Sequence, residues 1–149
     1  MRYTHRVLLR GRRVGVRRLR RTALFQAAQE LGCGKIAFGH NQDDFIETLF
    51  INICYSGQVS CMVPRQPFFD GEVVVIRPLA LVSAASVERL RERLGLPVII
   101  NPCPSANRSK RQEIRDLLHT LYRGNRKVRG NIFRAMSHVN LEYLPPPLK

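Results

Sequence analysis

A chain of 149 residues with 44% apolar content carries enough hydrophobic material for one domain core, which excludes wholesale disorder. No apolar run reaches the roughly 18 residues of a membrane span, and no apolar stretch with a cleavage site follows the basic N-terminus, so neither a membrane protein nor a secretory signal is expected. The formal net charge of +14 favours a polyanionic partner through counterion release.

Four cysteines, Cys33, Cys54, Cys61 and Cys103, are widely spaced with no Cys-x-x-Cys pair, which argues against a disulfide scaffold and a self-contained zinc site. A reducing cytoplasm is the expected setting. The charge is clustered: residues 1–21 hold nine arginines and no acid, and residues 107–134 hold nine Lys or Arg against only Glu113 and Asp116.

In chain order, residues 1–17 form an arginine-rich segment without clean periodicity, expected to be atypical or disordered. From Arg18, Leu24, Ala27, Ala28 and Leu31 share one helical face, and Gly32 and Gly34 stop the helix. Residues 35–39 read as a short buried strand. Asn41 or His40 opens a second helix whose apolar stripe is Phe45, Ile46, Leu49, Phe50 and Ile53, and Gly57 ends it. Residues 58–72 read as a loop, and Val73-Val74-Val75-Ile76 as a strand covered on both faces. Ser83 caps a helix with Val87, Leu90 and Leu94 inward, and Gly95 stops it. Residues 97–100 read as another strand. Ile114, Leu117, Leu118, Leu121 and Tyr122 define a long amphipathic helix broken at Gly124, and Ile132, Phe133, Met136 and Val139 mark a further one. The order implies an α/β fold, a parallel sheet with flanking helices and a helical C-terminal part. The expected domains are the 1–17 segment, a domain over 18–140 and a proline-rich tail over 141–149.

The chemistry concentrates between Gly39 and Glu47. In a parallel sheet, ligands gather beyond the carboxyl ends of the strands, and a helix N-terminus offers free N–H groups to phosphate. Asp43 and Asp44 suit that helix end and could hold Mg²⁺ against a phosphate, although aspartate near a helix start is also a routine favourable charge. His40 and Asp44 are four apart and Glu47 lies a turn further on, so one shared face is expected. Cys103 follows the strand over 97–100, and nearby Arg108 and Lys110 would favour its thiolate, although a lone cysteine is more often inert.

Arg18 to Arg21, Glu30 to His40, Asp43-Asp44, Glu47 to Phe50, Ile76 to Leu79, Cys103-Pro104, Ser109 to Arg111 and Asn131 to Val139 together resemble the tRNA 2-thiocytidine synthetase family, in family order, over residues 18–144. That family belongs to the N-type ATP pyrophosphatases, or PP-loop proteins. The resemblance implies an adenine nucleotide α-hydrolase-like (Rossmann-like) fold, ATP-dependent tRNA 2-thiolation and an ATP, Mg²⁺ and [4Fe–4S] complement. By the same resemblance, Gly39, His40, Asp43 and Asp44 would line the ATP–Mg²⁺ site, and Cys103 would serve as the cluster and catalytic cysteine. Arg18, Arg20, Arg21, Arg108, Lys110, Arg111 and Arg115 would face RNA.

The family's Ser-Gly-Gly-Lys-Asp-Ser phosphate loop has no counterpart in these 149 residues, and Arg13 and Val16 stand where its Cys-x-x-Cys pair falls. The isolated chain is therefore expected to bind none of the three cofactors productively and to lack activity, with a second chain supplying the missing half or a copy of itself as partner. Two alternatives follow: a non-enzymatic tRNA-binding remnant, or a degenerate fragment from a truncated or frame-shifted gene.

Overall fold

The computed structural model describes residues 16–98 and 109–146. The elements are α1 (Val16–Glu30), β1 (Lys35–Ala37), α2 (Gln42–Ser56), β2 (Arg65–Phe68), a 3-10 turn at Phe69–Gly71, β3 (Val73–Ile76), α3 (Ala84–Arg93), α4 (Lys110–Gly124), α5 (Val128–Ala135) and a 3-10 turn at Leu141–Tyr143. Readings that fall on residues 1–15, on 99–108 with Cys103 and Arg108, on the end of the tail and on the Arg18 side chain lie outside the described residues.

The strands form one sheet in the order β1-β3-β2. β1 and β3 run parallel, since the Val74 N–H donates to Gly34 O and the Phe38 N–H to Ile76 O, each at 2.9 Å, with both indices rising together. β2 joins β3 antiparallel through the tight turn at 69–71, so the sheet is mixed. Residues 65–68 were expected in a loop because Pro67 interrupts them. An edge strand tolerates a proline, and β2 lies at the sheet edge with alternating burial. Pro97 and Val98 carry no strand, in contrast to the expectation for that segment.

The chain divides into two units, residues 1–36 with 67–75, and residues 37–66 with 76–149. In the first, α1 buries Ala28, while Leu24 and, just past the helix end, Leu31 stay exposed at 40% and 76%, so only a narrow stripe of the expected face is covered. Phe25 meets Phe68 and Phe69 with ring centroids 5.2 and 5.4 Å apart. Tilted and edge-on aromatic pairs of this kind add about 0.5–1.5 kcal/mol each beyond their buried area.

In the second unit the core lies between α2, α4 and α5. Ile46 is fully buried, Ile114 and Leu118 nearly so, and Phe50, Ile132, Phe133 and Met136 pack around them. The spacing of Phe45, Ile46 and Leu49 places all three on the buried side of α2. Gly57 closes α2 at φ 62°, a left-handed conformation that favours glycine. In α4 only Ile114 and Leu118 of the expected stripe are buried, and in α3 Leu90 and Leu94, expected inward, are exposed. Arg77, which follows β3, is buried; its guanidinium donates to Val63 O and to Gln66 Oε1, and its N–H to Pro64 O. It fastens the segment that leads into β2.

Candidate active site

The end of β1 leads directly into α2. Phe38 is held by its ladder bond to Ile76, its ring meets His40 edge-on at 5.5 Å, and nothing among the described residues lies within 4 Å of where a Gly39 side chain would begin. Asn41 is the cap: its Oδ1 accepts from the N–H groups of Asp43 (3.0 Å) and Asp44 (3.3 Å), and Asp44 Oδ2 accepts in return from the Asn41 N–H at 3.0 Å. This reciprocal capping box satisfies the first free donors of α2 from within the chain. The cap is extended (φ −107°, ψ 178°), so His40 stands outside the helix. The expected shared face of His40 and Asp44 therefore does not form, whereas Asp44 and Glu47, three apart, do share one.

Three arginines from α4 and α5 meet these acids. Arg111 Nη1 lies 2.9 Å from Asp44 Oδ1 and 3.2 Å from Glu47 Oε2. Arg115 grips Glu47 with two donors, Nε to Oε1 at 2.9 Å and Nη2 to Oε2 at 3.3 Å. Arg129 Nε is 3.1 Å from Asp43 Oδ1, and its guanidinium lies over the Tyr122 ring at 4.7 Å. Asp43 Oδ2 accepts from the Ala84 N–H at 2.7 Å, which ties α2 to the start of α3. Glu47 is the most buried of the acids, its side chain only 6% exposed. Its hydrogen bond holds the Arg115 guanidinium above its usual range. Burial, with Asp43 nearby, pushes the Tyr122 hydroxyl up.

Asn41, Asp43, Asp44, Glu47, Ala84, Arg115, Tyr122 and Arg129 line a cavity of about 450 Å³. That volume falls within the range of small-ligand sites. Of the expected site residues, the structure brings together Asp43 and Asp44 with Arg111 and Arg115. Lys110 instead lies over the Tyr55 ring at 4.3 Å, and Arg20 and Arg21 are exposed on α1. Arg129 and Tyr122 were not anticipated. The one available signal was that Arg129 falls on the same basic stretch as Arg111 and Arg115.

Magnesium asks for one or two carboxylates beside phosphate oxygens. Asp43 and Asp44 match that donor set in kind, but three of their four oxygens already accept from an arginine or a backbone N–H, and the fourth, Asp43 Oδ1, lies 3.1 Å from Arg129 Nε. The iron–sulfur donor set does not assemble among the described residues: Cys33 and Cys54 are exposed, Cys61 is partly buried, and no group of three or more His, Cys, Asp or Glu is placed to hold a metal. Cys61 Sγ donates to Phe45 O at 3.0 Å, and burial raises its thiol above the usual range. With iodoacetamide at pH 8, Cys61 is accordingly expected to alkylate several-fold more slowly than Cys33 and Cys54, read by peptide mass spectrometry. Equal rates would show that its pocket is open to solvent.

Strand, glycine and capped helix form an α/β arrangement, and comparison with solved structures places the fold. The fold is similar to the PP-loop ATPase, or adenine nucleotide α-hydrolase-like, fold of the U34-tRNA thiolase NcsA from Methanococcus maripaludis, solved with its [4Fe–4S] cluster: TM-score 0.63, 27% identity, covering 88% of this chain and 44% of that one. The chain is homologous to the tRNA-cytidine(32) 2-sulfurtransferases over most of its length. It is 41% identical to the enzyme of Alkalilimnicola ehrlichii over 128 residues, covering 85% of this chain and 41% of that protein. It is 36% identical to that of Geobacter sulfurreducens over 129 residues, covering 85% of this chain and 50% of that protein. The chain thus spans about two fifths to one half of the length of these relatives. No family model matches it. Among the described residues no helix is long and apolar enough to cross a membrane.

Proposed function

We propose that this chain supplies one wall of the adenylating site of an ATP-dependent tRNA 2-thiolation enzyme of the cytoplasm, and that the phosphate loop of that site comes from polypeptide outside these 149 residues. The observation that carries this reading is the 41% identity to a tRNA-cytidine(32) 2-sulfurtransferase, in a segment that contains the capped helix and both aspartates. In this reading Gly39 and His40 lie beside the nucleotide, and Asp43 and Asp44 face its magnesium ion. Cys103 is the sulfur-handling and cluster cysteine, and Arg18, Arg20, Arg21, Arg108 and Lys110 belong to the RNA-facing side, while Arg111 and Arg115 hold the acids of α2.

The test is reconstitution under anaerobic conditions. The chain is mixed with the segment of the A. ehrlichii relative that precedes the matched region, together with tRNA, ATP, Mg²⁺ and sulfide, and the digested tRNA is read by nucleoside mass spectrometry. Thiolated cytidine is expected from the mixture and from neither part alone. A mixture that binds tRNA and contains both folded parts, yet forms no thiolated nucleoside, would contradict the reading.

A further inference from the structure

Between Asp116 and Glu142 the chain has no acidic residue and carries Arg123, Arg126, Lys127, Arg129 and Arg134. These cations lie at the elbow where α4 turns into α5, and they divide in two. Arg129 turns inward to Asp43 and Tyr122. Arg123, Arg126, Lys127 and Arg134 are exposed. All eleven Asp and Glu residues of the chain lie within the described segments, and none forms an ion pair with any of these four. By contrast, Arg111 and Arg115, which the sequence marked for RNA, are already committed to carboxylates.

The elbow has a fixed backbone. The Asn125 N–H donates to Leu121 O at 3.1 Å, Asn125 Oδ1 accepts from the Lys127 N–H at 2.8 Å, and Asn125 O accepts from the Val128 N–H at 3.1 Å. An asparagine that bonds the backbone two residues on holds such a turn in one shape, so the cations hang from a preset frame.

We propose that this elbow is the surface on which the chain docks the phosphate backbone of tRNA, the outward cations holding RNA while Arg129 anchors the same turn to the α2 acids. The partner is taken from the proposed function; the location is not. Residues 123–127, Arg-Gly-Asn-Arg-Lys, offer neither an aromatic ring to stack on a base nor an apolar side chain to enter a lipid interface. What they offer is charge and backbone geometry, which read phosphate position rather than base identity.

The test compares two triple variants of the full chain with the same change in net charge: Arg123→Gln/Arg126→Gln/Lys127→Gln at the elbow, and Arg65→Gln/Arg89→Gln/Arg93→Gln on exposed positions elsewhere in the second unit. Binding of tRNA is measured by fluorescence anisotropy across a salt series, with far-UV circular dichroism to confirm the fold and phosphatidylserine vesicles as a second probe. The elbow variant is expected to lose about tenfold or more in tRNA affinity at low salt and to lower the slope of log K against log salt by about 2, as three lost phosphate contacts require. The control variant is expected to retain most of both. Equal losses in the two variants would overturn the location while leaving the proposed function standing. No salt-dependent tRNA binding by the unmodified chain would overturn both. Vesicle binding that depends on the elbow, with tRNA binding that does not, would assign the surface to a membrane and overturn the inference.

Discussion

Replacing Arg111 and Arg115 together by leucine is expected to destabilise the second unit by about 3–5 kcal/mol, the range for leaving a buried charge without a partner. The carboxylate at risk is Glu47, whose side chain is 6% exposed and which receives Arg111 at 3.2 Å and Arg115 at 2.9 Å. Either arginine alone keeps it paired. The two guanidinium side chains are themselves 31% and 45% exposed, so water screens each single pair, and each single variant is expected to cost only about 1 kcal/mol. The double variant should therefore exceed the sum of the singles, because only it strands the charge. Adding Glu47→Leu to the double variant is expected to recover most of the loss, since an apolar side chain of similar volume suits a position only 6% exposed. Urea unfolding of the unmodified chain and these four variants measures this. A double variant that costs less than about 1 kcal/mol would mean that Glu47 finds water once the arginines go.

The sequence reached the capped helix because its signals are local. An apolar run, a glycine, an asparagine and two acids name a strand end and a helix start without reference to the rest of the fold, and the structure has Asn41 as cap and Gly57 as stop. The α/β class followed from the order of such elements and holds against the thiolase fold. Signals failed where the answer depends on what lies opposite. Helical spacing placed Leu90 and Leu94 on one face of α3, but it could not say that nothing among the described residues covers them. Pro67 argues against a central strand and is silent on an edge strand. The basic face of α4 reads the same whether it meets RNA or carboxylates. Arg111 and Arg115 are four apart and Asp44 and Glu47 three apart, so two complementary helical faces were written in the chain, but only the packing of α4 on α2 brings them together. Arg77 shows the same limit: its motif was recognised, while its burial and its hold on residues 63–66 belong to tertiary structure.

That packing bears directly on nucleotide chemistry. A bound triphosphate carries several negative charges and needs preset donors at every phosphate. The α2 end meets this demand poorly by itself, because its capping box already occupies the N–H groups of Asp43 and Asp44. Its acids are held by arginines that a magnesium ion would have to displace. In catalysis, loss of even one preorganised oxyanion donor costs roughly 3–4 kcal/mol. Without a phosphate loop the chain is expected to bind Mg²⁺–ATP more weakly than about 1 mM.

In the proposed function these residues form one wall of an ATP site and need a phosphate loop from elsewhere to complete it. Isothermal titration of Mg²⁺–ATP into the purified chain, with and without the segment of the A. ehrlichii relative that precedes the matched region, addresses it directly. Saturable binding is expected only in the presence of that segment. Micromolar binding by the chain alone, or none in the assembled mixture, would contradict it.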